Sequence, residues 1–119
     1  MKTTTKLLAI VALFATVLFA ACKKEEKATP APVADFTISP NDTIFSGETI
    51  TFTNTSTDAD TYLWNFGDGT TSTTVSPTKT EFVVTGEVSC EETFTVTLTA
   101  TKNGKTSTKS KNVVVEYCR

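Results

Sequence analysis

The stretch that decides the fold runs from residue 62 to residue 69 and reads Tyr-Leu-Trp-Asn-Phe-Gly-Asp-Gly. Its three aromatic side chains alternate with other residues, so they lie on one face of a β-strand. The two glycines then supply the positive-φ positions of a tight turn. A strand that carries aromatic rings on one face needs a second sheet to cover them. The residues of this core signature are Tyr62, Trp64, Phe66, Gly67, Asp68 and Gly69.

Seven segments of the chain have the alternating apolar and polar pattern of half-buried strands, and turn-forming residues separate them. The clearest strand runs from 93 to 101, where Phe94, Val96 and Leu98 point inward and threonines point outward. Threonine suits outward positions because it is β-branched and compatible with water. The pattern predicts an all-β, seven-stranded antiparallel sandwich. Its strands are expected at residues 33–38, 48–54, 62–66, 70–75, 78–84, 93–101 and 107–117.

The octapeptide resembles the signature of the PKD domain, usually written Tyr-x-Trp-Asp-Phe-Gly-Asp-Gly, with Asn65 in place of its first aspartate. The resemblance extends from Val33 to Val115. It departs from the family pattern between Phe82 and Phe94, where the connecting loop is longer than usual. The resemblance implies an immunoglobulin-like β-sandwich. It also implies a role in support, spacing or binding, because this family is rarely the catalytic part of a protein.

The first residues are typical of an exported protein. Lys2 and Lys6 precede an apolar run from 7 to 21 that ends in small residues, which predicts a signal peptide over 1–21 that is removed. A membrane-spanning helix is the alternative for this run. The residues before Cys22 resemble a bacterial lipobox, with Phe19 where leucine is preferred, which implies lipidation of Cys22 and anchorage in a membrane. An ordinary secreted protein with a spare cysteine is the alternative.

Residues 22–32 combine charged residues with alternating proline. This composition cannot bury a core, so it predicts a flexible linker before a domain at 33–119. Within the linker, Lys24-Glu25-Glu26 resembles a tag that sends lipoproteins to the outer face in one Gram-negative phylum; a merely solvated linker is the alternative. The expected location is the bacterial outer membrane, with a lipid anchor and display at the cell surface.

The composition excludes several functions. The chain contains no histidine, which rules out Ser-His-Asp and Cys-His catalysis and His-ligated metal sites. The formal net charge is −2, and loss of Lys2 and Lys6 with the signal peptide would lower it to about −4. A broad basic surface for nucleic acid is therefore not expected. These features predict a monomeric, non-enzymatic domain that needs no cofactor.

Calcium is the alternative to a cofactor-free domain. Asp58 and Asp60 lie in the loop before the aromatic strand, and hard oxygen ligands in a loop are the type that Ca²⁺ prefers. A plain polar loop explains the same residues.

Cys90 and Cys118 lie at equal sequence distance from Gly104. Residues equidistant from the turn of an antiparallel hairpin face each other, so this spacing places the two thiols side by side. Export favours a disulfide, which would close a loop of about 29 residues and stabilise the fold by about 3–4 kcal/mol. Cys118 is out of phase with the inward valines, so a bulge near 88–92 is expected. A reactive thiol is the alternative, although no histidine is present to activate it.

The long loop before the strand at 93–101 is the candidate binding loop, because the expected topology places it at the end of the sandwich away from the linker. An idle connection is the alternative for it. The residues of the candidate loop are Thr85, Gly86, Glu87, Val88, Ser89, Glu91 and Glu92. Separately, residues 42–44 resemble a bacterial O-glycosylation sequon, which implies modification of Thr43.

The expected function is that of a lipoprotein that displays a PKD-like domain for interaction with a protein or glycan, in adhesion or as an accessory to an envelope assembly. A carbohydrate-binding helper of polysaccharide uptake is one alternative. A purely structural spacer is the other.

Overall fold

The computed structural model of the protein describes residues 27–84 and 89–118. Within these ranges the chain forms strands and no helix, arranged as two sheets, so the predicted all-β sandwich is confirmed. The strands are β1 (Phe36–Ser39), β2 (Thr43–Phe45), β3 (Ile50–Asn54), β4 (Thr61–Asn65), β5 (Thr71–Ser72), β6 (Thr78–Lys79), β7 (Glu91–Lys102) and β8 (Lys105–Glu116).

The strand count corrects the prediction, since the described residues form eight strands rather than seven. The additional strand is β2, which places Ile44 in the core and pairs in parallel with β8, so the sandwich is not wholly antiparallel. One sheet has the order β1-β3-β6, and the other has the order β2-β8-β7-β4-β5. All other pairings are antiparallel. The chain therefore crosses from the first sheet to the second between β1 and β2.

The core lies between the sheets and is centred on Trp64, which is fully buried. Its indole ring packs edge-on against Phe36 of β1, with ring centroids 5.0 Å apart, and it lies 5.7 Å from Phe52 of β3. The indole Nε1–H donates to the carbonyl of Thr74 at 2.9 Å, so its polar atom is satisfied. The buried apolar residues are Ala34, Phe36, Ile44, Ile50, Phe52, Trp64, Phe66, Phe82, Phe94, Val96, Leu98, Ala100, Val113 and Val115.

The β7–β8 hairpin is the longest element of the fold. A two-residue turn joins its strands, and both turn residues have positive φ, 49° at Asn103 and 75° at Gly104, as a tight hairpin turn requires. Pairing then continues without interruption from Lys102 opposite Lys105 to Glu91 opposite Glu116. The hairpin therefore spans the whole length of the sandwich.

The two sheets end in short strands. The edge strands are β1, β6, β2 and β5, with 4, 2, 3 and 2 residues. The 12-residue strands β7 and β8 lie inside the larger sheet. The backbone N–H of Phe45, on the edge strand β2, donates to the Glu48 carboxylate at 2.8 Å.

The predicted signal peptide, the lipidation residue Cys22 and the Lys24-Glu25-Glu26 tag all lie outside the described residues. In the part of the chain that the structure covers, no helix is both long and apolar enough to span a bilayer.

Candidate functional site

The signature octapeptide forms the turn between β4 and β5, and this turn packs directly on β7. Trp64 and Phe66 enter the core, whereas Tyr62 is half-buried and donates its hydroxyl to the carbonyl of Ala59 at 3.4 Å. The N–H of Gly67 donates to the side-chain oxygen of Asn65 at 2.9 Å, so the amide that replaces the usual aspartate still closes the turn. Gly67 has φ of +80°, and a Cβ added there would lie 2.6 Å from the backbone oxygen of Thr95.

The carboxylate of Asp68 is fully buried in this turn and is saturated with donors. Its Oδ1 accepts the N–H and the hydroxyl of Thr70 at 3.0 and 2.6 Å. Its Oδ2 lies 2.9 Å from Nζ of Lys79 and accepts the backbone N–H of Val83 at 3.1 Å. Burial alone would raise the pKa of Asp68, but the bonds from Lys79, Thr70 and Val83 outweigh it and hold that pKa well below its usual range.

Lys79 completes this buried network from the other sheet. Its ammonium nitrogen lies 4.9 Å from the ring centroid of Phe66 and 5.0 Å from that of Phe82, and it donates to the hydroxyl of Thr70 at 2.8 Å. The two rings and the Asp68 carboxylate together surround the charge, an arrangement that favours a desolvated cation. The ion pair between Asp68 and Lys79 thus holds together the turn, β6 and the segment at Val83.

The predicted disulfide between Cys90 and Cys118 is present, with Cα atoms 5.0 Å apart. The register that led to it was wrong by one residue. The hairpin turns at Asn103 and Gly104 together, so the residue opposite Cys90 is Tyr117, whose N–H donates to the Cys90 carbonyl at 2.8 Å. Both cysteines lie just beyond the paired ends of β7 and β8, and the pairing of 91–102 contains no bulge.

Of the candidate binding loop, residues 85–88 lie outside the described residues. Ser89 and Glu91 are exposed, and Glu92 is half-buried. The flanks of the loop are held on both sides, by the Asp68 bond to Val83 before it and by the disulfide after it. Val83 and Val84 are 53% and 38% exposed. This end of the sandwich therefore exposes apolar side chains beside backbone that the Asp68 hydrogen bond and the disulfide hold in place. We call it the disulfide end.

The N-terminal segment enters the domain at the opposite end. The Lys105 ammonium donates to the carbonyl of Thr29 at 3.3 Å, and Val33 bridges Thr57. Lys105 directly follows the β7–β8 turn. A chain that is anchored through its N-terminus would therefore project its disulfide end away from the anchor.

The calcium candidates Asp58 and Asp60 lie in the loop before β4. Asp60 lies 3.8 Å from the ammonium of Lys102, so a cation already faces it. Across 27–84 and 89–118, no group of three or more His, Cys, Asp or Glu side chains is arranged to hold a metal ion. Calcium binding at Asp58 and Asp60 stays a prediction.

Thr43 lies on the edge strand β2, where its side chain is exposed. An enzyme that attaches a glycan could reach it, and its glycosylation stays a prediction.

The outer face of the larger sheet is a surface that the sequence pattern did not single out. Because β4 pairs with β7 and β7 pairs with β8, the outward residues of the three strands form one continuous layer. At the disulfide end this layer continues into Val114, Glu91 and Glu116. We call the part of the layer that stops before these three residues the threonine face. Its residues are Thr61, Leu63, Asn65, Thr93, Thr95, Thr97, Thr99, Thr101, Thr106, Thr108, Ser110 and Asn112.

Comparison with known proteins gives a family and a set of related structures. The family model described as "PKD domain" matches residues 29–117. None of the curated proteins matches the chain.

Three solved structures illustrate the likeness. The PKD1 domain of Vibrio anguillarum Epp is 27% identical, with a TM-score of 0.56, over 76% of this chain and 100% of that chain. The PKD1 domain of the Vibrio cholerae metalloprotease PrtV is 32% identical, with a TM-score of 0.54, over 73% and 99%. A structure from work on carbohydrate-binding modules of the β-sandwich superfamily is 27% identical, with a TM-score of 0.64, over 76% of this chain and 36% of that chain. The match thus spans about a third of that last protein.

Proposed function

Because the chain belongs to the PKD domain family, we propose that it is a non-enzymatic lipoprotein of the cell envelope that displays this domain to a protein or glycan partner. The observation that supports this proposal is that the N-terminal segment and the disulfide end lie at opposite ends of the domain. The N-terminal segment contacts Lys105 at one end, while exposed Val83 and Val84 lie on a fixed frame at the other. A lipid at Cys22 would hold the first end near the membrane and present the second.

The chemistry of the described residues supports a binding role rather than catalysis. The chain has no histidine, and its most strongly perturbed described carboxylate, Asp68, is buried and already accepts four donors. Such a group has no lone pair free for a substrate. Its role is to hold the turn.

The anchor is tested with Cys22→Ser in cells that express the full chain. We expect the unmodified protein in the membrane fraction, accessible to protease added to intact cells, and the variant in the soluble fraction. Cys118→Ser is the matched control and should remain in the membrane. Equal fractionation of Cys22→Ser and the unmodified chain would contradict lipid anchoring.

The contact surface is tested with the double variant Val83→Asp/Val84→Asp and with alanine at 85–89, 91 and 92. Adhesion of cells that display the protein and binding of the purified lipoprotein to a glycan array are the readouts. We expect at least a tenfold loss, because charge in a desolvated contact is costly. Val33→Asp is the control, since Val33 is at least as exposed, at 58%, but lies at the N-terminal end. Unchanged binding by the disulfide-end variants would refute a role for this end.

A carbohydrate-binding helper of polysaccharide uptake is the second candidate, favoured by the similarity to the structure from work on carbohydrate-binding modules. The buried positions of Phe36, Trp64 and Phe66 weigh against sugar stacking on aromatic rings. Sugar binding by this domain would therefore need a different surface. A structural spacer remains the outcome if the purified protein is stable and binds neither cells nor glycans.

A further inference from the structure

We propose that the threonine face binds an extended, uncharged glycan chain. This inference rests on the glycan form of the proposed function and assigns it a site. The face is formed by the middle strands of the larger sheet, β4, β7 and β8, and it lies on the side of that sheet away from the core.

The threonine face, as defined above, carries no charged side chain. The outward positions of the hairpin between Thr93 and Asn112 carry only hydroxyl and amide side chains. Charged residues commonly keep exposed sheet surfaces from associating with other molecules. Here the lysines of the hairpin occupy the other side, where Lys111 covers the ring of Phe36 at 5.2 Å. The lysines on that side are Lys102, Lys105, Lys109 and Lys111. A surface without charged side chains suits a neutral ligand. An anionic polymer would find no positively charged group on it.

Threonine recurs at regular spacing on the threonine face. Five threonines alternate along β7 from Thr93 to Thr101, so they stand about 6.8 Å apart along the strand and about 4.8 Å from the next strand. Each carries one methyl group and one hydroxyl on the outer side of the sheet. A sugar ring likewise presents C–H groups on its faces and hydroxyls at its rim. A regular array of methyl groups and hydroxyls can therefore contact several successive sugar rings of an extended glycan.

The hydroxyls are held in place before any ligand binds. The Thr97 hydroxyl lies 2.8 Å from that of Ser110, and the Thr95 hydroxyl donates to the Asn112 amide oxygen at 3.0 Å. Fixed donors and acceptors reduce the entropy lost on binding. Leu63, 47% exposed, adds an apolar contact beside Thr99.

A second copy of the chain fits this face less well. Leu63 is the one large apolar side chain within the face, and half-buried Val114 borders it, whereas the buried core of a stable homodimer interface is mostly apolar. Hydroxyls in excess of apolar groups favour a ligand that is itself rich in hydroxyls.

The test uses the purified full-length lipoprotein in detergent and electrophoresis through gels that contain a soluble β-glucan, mannan or xylan. The variants are Thr97→Lys and Thr99→Lys, which keep strand length and exposure but place a solvated charge on the face. Thr53→Lys is the matched control, since Thr53 is exposed on the outer side of the other sheet. We expect at least tenfold weaker retention for the face variants and unchanged retention for the control. Emission of Trp64 checks that each variant is folded.

Other outcomes separate this inference from the proposed function. If Val83→Asp/Val84→Asp abolishes glycan retention and Thr99→Lys does not, the glycan binds at the disulfide end and the assignment of the threonine face is wrong. If no neutral polysaccharide retards the unmodified chain while cell adhesion persists, the inference fails and the proposed function stands. If Thr97→Lys instead dissociates a dimer in sedimentation velocity, the face joins two copies and the inference is also overturned.

Discussion

The ammonium nitrogen of Lys79 lies 2.9 Å from Oδ2 of Asp68, and this ion pair joins the two sheets of the sandwich. Asp68 lies in the turn after β4, in the larger sheet, whereas Lys79 ends β6 in the smaller one.

Removing one partner of this pair should destabilise the fold strongly. Asp68→Ala or Lys79→Met leaves a buried charge unpaired and is expected to lower the free energy of unfolding by about 3–5 kcal/mol. The double variant should lose less than the two single losses together, because the groups interact directly. Urea denaturation at neutral pH measures all three, and Asp42→Ala, at an exposed carboxylate, serves as the control. Additive losses would show that the pair is not coupled.

Stability should fall in acid because of Asp68. Its pKa is lowered in the folded state relative to the ordinary value of 3.8, so its contribution is fully present above about pH 4 and is lost as the pH falls toward the folded-state pKa. Melting temperatures between pH 2 and pH 6 should therefore decline more steeply for the unmodified chain than for Asp68→Asn. Parallel curves would assign the acid sensitivity to other carboxylates.

The disulfide should contribute measurably to stability. It links residues 28 apart in sequence, and on the chain-entropy estimate its loss costs about 3–4 kcal/mol. Urea denaturation of Cys90→Ser/Cys118→Ser, followed through the emission of Trp64, measures this loss. Adding a reductant should shift the midpoint of the unmodified chain and leave that of the variant unchanged.

Gly67 and Gly69 should differ in their tolerance of alanine. Both have positive φ, +80° and +85°, but a Cβ at Gly67 would meet the Thr95 backbone at 2.6 Å while one at Gly69 would meet nothing within 4 Å. Gly69→Ala is expected to cost about 1–2 kcal/mol from conformation alone. Gly67→Ala should cost a further 1–3 kcal/mol or so, since backbone must move. Thermal unfolding of the two variants measures both losses of stability. Equal losses would mean that the Thr95 backbone of β7 moves aside at no cost in free energy.

Strands with a sustained period of two were predictable. Trp64 and Phe66, and the alternation of Phe94, Val96 and Leu98, each place several side chains in the core, and the structure buries all of them. Strand β2 could not be found in this way. It has three residues, of which Ile44 alone is fully buried, and a single apolar residue has no period.

The candidate site was predictable only in part. The disulfide follows from the proximity of Cys90 and Cys118 near the ends of one hairpin, even though the predicted register differs by one residue. The position of Lys79 between Phe66 and Phe82 does not follow from any local pattern, because these three residues come from different parts of the chain. The threonine face likewise depends on the pairing of three strands, which a single strand's pattern does not reveal.

The lengths of the paired and unpaired strand edges determine whether neighbouring copies of the domain can join edge to edge. Unpaired backbone along a long outer strand invites the same strand of a neighbouring molecule, and repeated addition yields fibrils. In this domain the outermost strands have at most 4 residues, but β2 pairs only with Val114–Glu116 of β8, so β8 has a strand partner on one side alone between Lys105 and Val113. Three lysines, Lys105, Lys109 and Lys111, lie in that stretch, and their charges oppose the addition of a strand from a neighbouring copy.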